Sequence, residues 1–291
     1  MQIELKRGGA AALVDTHGAE LFSYLTPEKE QALWGGSSDS WPGRSPVLFP
    51  LIGAVKGRIL RIDGRQTPVK NHGFGRDLDY AVIARSDVSV TLRAQADEAT
   101  LAVYPYPFAL EITHALTGAG FVTRYRVINT GSRPLSYCIG GHVGFCCPRG
   151  AGAFEDYDLL LPERMDVRLM PAQPGPLPGQ QPSRLLFSQV DGFGLDRALF
   201  DQGTLYLEQP ALHSITLRDR RSGRGVSMSY AGFPVMALWT KERAGAPFLC
   251  IEPWHGLPEM EGESGLFEEK PYRIPLAPGE SRALEYAVAV F

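Results

Sequence analysis

Alternation of apolar and polar residues at a period of two narrows the fold of this chain more than any other feature. In "FVTRYRVINTG", Phe121, Thr123, Tyr125 and Val127 alternate with Val122, Arg124 and Arg126, and Asn129, Thr130 and Gly131 close the run as a turn. Successive side chains of a strand point to opposite faces, so this spacing builds a strand with one dry and one wetter face. "LDYAVIARSDVSVTLRAQ" reads as a hairpin. "HSITLRDRRSGRGVSMSYAGFP" reads as two strands joined by a turn at Ser222 to Gly225. "RALEYAVAVF" is a further strand, with Leu284, Tyr286, Val288 and Val290 on one face. The 23 prolines and 32 glycines punctuate the chain so often that few windows sustain a helical stripe. Short strands with frequent turns predict an all-β fold, a sandwich or barrel.

With 291 residues, 44% of them hydrophobic, the chain can bury a large core, and all-β folds reach about 250 residues as one unit. The Pro-rich stretch "MPAQPGPLPGQQPSR", residues 170–184, has strand patterns on both sides, so it is read as an excursion within a single domain spanning 1–291. A net charge of −3 and the absence of a Lys/Arg run exclude a nucleic-acid footprint. The N-terminus lacks the apolar stretch of a signal peptide, and no segment approaches the roughly 18 apolar residues of a membrane span. Cys138, Cys146, Cys147 and Cys250 show no CxxC spacing and are expected as buried thiols. A soluble, cytoplasmic protein without membrane or nucleic-acid partners is expected.

Two histidines have unusual neighbours. His72 lies in "KNHGFGRD", ahead of Arg76, and His142 follows two glycines in "SYCIGGHVGFCCP". Glu252 stands at the end of the apolar block of "FLCIEPWHG", a segment that reads as a buried strand ending there, and precedes Pro253 and Trp254. An acid, a tryptophan and two histidines suit general acid/base chemistry on a polyol, because Glu and His titrate near ~4.3 and ~6.5. The same His72, His142 and Glu252 can also be read as a two-histidine, one-carboxylate metal set, although the close His-x-His or His-x₃-His pairing is missing. A G-x-S-x-G serine elbow and a phosphate-binding G-x₄-G-K loop are both absent.

"SPVLFPLIGAVKGR", "NHGFGRD", "IGGHVGF", "FLCIEPWHG" and "FEEKPYRIPLAPGES" occur in that order. The ordered set resembles the aldose 1-epimerase (galactose mutarotase-like) family, in particular its LacX-like branch, over nearly the whole chain. The resemblance implies a large antiparallel β-sandwich, the galactose mutarotase-like supersandwich, binding a small-molecule sugar in a cleft. It implies that Glu252 takes the proton from the anomeric hydroxyl and His142 protonates the ring oxygen. The ring then opens, C1 rotates, and closure gives the other anomer. His72 is implied to hydrogen-bond near the ring oxygen and Arg76 to reach substrate hydroxyls. Trp254 is added as a candidate stacking surface, and neither metal nor organic cofactor is required.

The chain departs from the family where His142 is followed by Val143 rather than proline, and where Gly203, with Asp201 just upstream, stands near a position that often carries an acid. Arg44, Lys56, Arg58 and Arg76 are candidate cations for a phosphosugar, so a hexose-6-phosphate 1-epimerase stays open beside a free-aldose enzyme. A non-catalytic carbohydrate-binding protein on the same fold stays open as well.

Overall fold

A computed structural model describes residues 1–171, 183–211 and 213–291. The chain is 52% strand and 8% helix, which fixes the all-β class. Fifteen strands form one antiparallel sheet. From one edge, its path runs through Val47–Leu48, Ile139–Gly141, Phe248–His255, Val235–Trp239, Gly203–Glu208, Tyr157–Pro171, Ser214–Asp219, Gly225–Ser229, Ser281–Val290, Gly120–Asn129, Phe108–Leu116, Ser89–Gln95 and Ala81–Arg85. Val143–Cys146 adds to the Phe248–His255 strand, and Arg184–Gly194 adds to Tyr157–Pro171. A three-stranded sheet, Gln2–Arg7, Ala10–Asp15 and Leu21–Leu25, packs onto the Phe108–Leu116 strand.

The alternation in the sequence maps onto this sheet. Phe121, Tyr125 and Val127 are buried while Arg124 and Arg126 are exposed. Phe121 pairs with Val288 and Tyr125 with Leu284, so two dry faces meet on one side of the sheet. The hairpins expected at 81–95 and 214–229 both form. Their apolar faces join a buried cluster that extends from Ile3 to Val288. Cys138, Cys147 and Cys250 are buried free thiols and Cys146 is half-buried. Among the described residues, no helix is long and apolar enough to cross a membrane.

Most of the Pro-rich excursion, residues 172–182, lies outside the described residues. The strands that bound it pair with each other, Leu169 opposite Arg184.

His114 is a core histidine with both ring nitrogens engaged. Nε2 donates to the Ala19 carbonyl at 2.8 Å and Nδ1 accepts from the Thr123 hydroxyl at 2.9 Å. Burial lowers its pKa from 6.5 to about 4. The unfolded chain therefore takes up this proton first as pH falls, and stability is lost between about pH 6.5 and 4. A shift of that size corresponds to about 3 kcal/mol. Urea titrations of His114→Gln are expected to show a shallower stability loss over that window than the wild type. An identical slope would remove His114 as the cause.

Candidate active site

The strand Phe248–His255 is buried on both faces, and its period of two places Phe248, Cys250, Glu252 and Trp254 on one side. It does not stop at Glu252. The strand continues through Pro253, opposite Met236, to His255, so the expected strand end at Glu252 is corrected to a mid-strand position.

Register then explains where His142 falls. Gly140 pairs with Trp254, and Gly144 pairs with Cys250. His142, midway between them, faces Glu252. Its own amide turns away to the Pro46 carbonyl at 3.1 Å. The two flanking glycines keep the imidazole's side of the strand clear. A Cβ at Gly140 would meet Trp254 Cδ1 at 2.9 Å, and one at Gly144 would meet Trp41 Cζ3 at 2.9 Å and Trp34 Cβ at 3.1 Å. Gly144→Ala is expected to push these rings, lowering stability by about 1–3 kcal/mol and turnover with it. Thermal melts and rate assays on one preparation check this, and an unchanged melting temperature would contradict it.

His142 Nε2 lies 3.3 Å from Glu252 Oε1. The other carboxylate oxygen accepts a hydrogen bond from the Trp254 indole N–H at 3.2 Å. Glu252 is 1% exposed and Trp254 3%. The structure thus places Trp254 as an anchor for the carboxylate, with little open ring surface. His72 lies beside the pair, its ring centroid 5.7 Å from that of His142 and 6.4 Å from that of Trp254. It holds a left-handed backbone, φ 63°, that few non-glycine residues adopt. Three contacts fix it there: its amide donates to the Gly53 carbonyl, its carbonyl accepts from the Phe49 amide, and Nδ1 accepts from the Gly53 amide at 3.0 Å. The last contact leaves the His72 proton on Nε2. Arg76 is half-buried and donates to the Asn71 carbonyl at 2.7 Å.

The electrostatics follow from burial. Desolvation pushes the Glu252 carboxyl well above its ordinary range, while the Trp254 N–H and the field of Arg76 pull it partly back. Desolvation, with the Arg76 charge, lowers His142 to about 3. His72 is driven well down by burial and by the neighbouring His142 and Arg76. Both shifts favour the neutral carboxyl and the neutral imidazole, and the carboxylate and imidazolium, when formed, are a stronger base and a stronger acid than usual.

The comparisons with known proteins now bear on this geometry. A family model described as aldose 1-epimerase matches residues 1–289. The chain belongs to the aldose 1-epimerase family. Two relatives, the plasmid and chromosomal LacX proteins of Lactococcus lactis subsp. lactis, are each 28% identical over 299 residues, covering 100% of this chain and 99% of theirs. A crystal structure of a galactose mutarotase-like protein from Lactobacillus casei aligns over 100% of both chains, with a TM-score of 0.90 and 26% identity. A galactose mutarotase related enzyme from Lactobacillus acidophilus shares the fold at a TM-score of 0.92 and 24% identity, over 100% of this chain and 97% of that one.

Within this aldose 1-epimerase fold, the motifs quoted from the sequence bring Glu252, His142, His72, Arg76 and Trp254 together. Three tryptophans were missed. Trp41 stacks on the His142 imidazole at 4.6 Å and 30°, and Trp239 meets it edge-on at 5.5 Å. Trp34 and Trp41 both pack on Phe248. Trp41 stands alone in the Gly/Ser/Pro-rich "GGSSDSWPGRSP", and a lone aromatic in such a loop was the available signal.

Near Gly203, Asp201 Oδ1 accepts from the Arg243 amide at 2.8 Å. Of the four candidate cations, Arg44 lies over the Phe22 ring at 3.6 Å, and Lys56 and Arg58 belong to an exposed turn. The charge of Arg76 is the one of the four that bears on the Glu252 and His142 titrations. Among the described residues, one set of three metal-ligating side chains converges, His142, Cys250 and Glu252, with ligand atoms within 4.8 Å of one another. Its third member is Cys250 rather than His72. Burial holds that thiol well above its ordinary pKa, so it is a neutral neighbour of the pair.

Proposed function

We propose that this chain, as a single β-sandwich domain, interconverts the α and β anomers of an aldose, with Glu252 as base and His142 as acid. One observation carries this reading: a buried carboxyl and a buried imidazole stand 3.3 Å apart, with a second buried imidazole beside them. The anomeric O1 and the ring O5 are both bonded to C1, so adjacent groups can reach both. Glu252 takes the O1 proton while His142 gives one to O5. The C1–O5 bond breaks and O1 becomes the aldehyde oxygen. Both side chains are then neutral, the state that burial favours, and no net proton enters or leaves. Rotation about the C1–C2 bond and reversal of the two transfers close the ring on the other face.

The other groups have supporting roles. Trp254 and the Arg76 charge partly offset the burial that disfavours the carboxylate form of Glu252. His72, with its proton on Nε2, offers a donor beside the His142 ring. Trp41 covers one face of the imidazole and keeps water from it.

Polarimetry of freshly dissolved α-glucose and α-galactose, with and without the protein, tests the proposal. Acceleration is expected. If none occurs with these sugars, other free aldoses or hexose 6-phosphates, while sugar still binds, the carbohydrate-binding reading replaces it.

A further inference from the structure

The cross-strand register that places His142 opposite Glu252 continues across the sheet. Glu252 pairs with Ala237, Ala237 with Tyr206, and Tyr206 with Arg168. Directly opposed residues of an antiparallel ladder share a face, so all five project to the same side. Neighbouring strands are about 4.8 Å apart, which puts the Tyr206 backbone about 10 Å from that of Glu252. The residue between them is an alanine. Its methyl group is the one short side chain in that row between the acid/base pair and the phenol.

A second row runs parallel to the first, in which Trp254 pairs with Val235 and Val235 with Glu208. The Tyr272 hydroxyl donates to Glu208 Oε1 at 3.0 Å and accepts from Gln209 Nε2 at 2.9 Å. The backbone of Tyr272 is held in place because its carbonyl accepts from His255 Nδ1. The Tyr206 side chain hydrogen-bonds Ser183 and feels the charges of Glu208 and Arg168. Tyr206 is only 2% exposed, but Glu252 is only 1% exposed, so low exposure does not separate Tyr206 from the site. The opposite flank is apolar: Trp239 pairs with Cys250, and Trp34, Trp41 and Phe248 pack around that thiol.

We propose that Tyr206 and Glu208, with Glu208 set in place by Tyr272, bind the hydroxyls of an unphosphorylated aldopyranose remote from its anomeric carbon and so decide which sugar is accepted. This rests on the anomer-interconversion reading for its substrate class. A phenol and a carboxylate offer the donor and acceptor set that a pair of sugar hydroxyls matches, and a carboxylate repels a phosphate. A site built to hydrogen-bond a hydroxyl discriminates strongly against the analogue without it, because its buried polar groups are left unpaired.

The experiment compares the wild type with Tyr206→Phe, Glu208→Gln and Tyr272→Phe on the best aldose, its monodeoxy analogues and its 6-phosphate. Turnover is read by polarimetry and binding by tryptophan fluorescence, with near-UV circular dichroism checking each fold. Tyr206→Phe and Glu208→Gln are expected to raise KM about tenfold to a hundredfold while kcat changes little. Tyr272→Phe is expected to act in the same direction more weakly. The Tyr206→Phe penalty is expected to vanish on the deoxy analogue lacking the hydroxyl it holds. Unchanged KM and Kd in folded Tyr206→Phe and Glu208→Gln, or a wild type preferring the 6-phosphate, would overturn the proposal. Should the wild type accelerate no aldose, the anomer reading fails alone: weaker sugar binding by Tyr206→Phe would still support the subsite, and unchanged binding would overturn it.

Discussion

Replacing Glu252 by glutamine is expected to lower kcat for anomer interconversion by about 10³- to 10⁴-fold while leaving the fold in place. The amide has the shape of the carboxyl group. Its oxygen can still accept from the Trp254 indole, and its NH₂ can face His142. What disappears is the ability to take a proton from O1. Stability is expected to move the other way. Burial raises the Glu252 pKa above 4.5, so as pH climbs past that value the unfolded chain releases its proton before the native protein does. Native stability is therefore lost as pH rises, and Glu252→Gln removes that loss. The variant should melt above the wild type near pH 8, with the gap closing towards pH 4. Polarimetry paired with melting curves at both pH values checks the two halves. An active variant would remove Glu252 from the role of base.

His142→Ala is the second large effect, an expected fall in kcat of about 10²- to 10⁴-fold with a smaller change in KM. The imidazole is enclosed by Trp41 and Trp239, and its Nδ1 has no hydrogen-bond partner among the described residues. Its removal leaves a ring-shaped space beside Glu252. Added imidazole is expected to enter that space and restore part of the rate. A purely structural histidine would not be rescued in this way. Loss of activity together with loss of near-UV dichroism and no rescue would count against the acid role.

Where one strand face is wet, the sequence told which residues point inward. Arg124 and Arg126 marked the outer face of their strand, and Leu284 and Tyr286 marked the inner face of its neighbour. The Phe248–His255 strand resisted that reading because both of its faces are buried, so polarity could not reveal which side Glu252 takes. That strand's extent was misjudged because the apolar run gives way to a charge at Glu252, which was read as its end. His142 and Glu252 were legible through short motifs. Their apposition was not, since it depends on a register set by Gly140 and Gly144 against residues more than a hundred positions away. Tyr206 escaped notice because nothing in its local sequence reports a cross-strand neighbour, whereas the lone Trp41 of its Gly/Ser/Pro-rich loop was a signal passed over. Trp254 was found by its motif, but its use emerges only from the indole N–H on the carboxylate.

The position of the Ser281–Val290 strand affects how the chain is made. It lies between Gly120–Asn129 and Gly225–Ser229, joining two stretches of sheet made much earlier on the ribosome. The hairpin of Phe108–Leu116 with Gly120–Asn129 can form during translation, but its union with the strands from 203 to 229 must wait for residue 290. Such late, long-range closure slows folding and prolongs the life of incomplete intermediates. A nascent chain stalled before residue 281 presents two unpaired strand edges, one on each side of the gap, and such edges recruit other chains or chaperones.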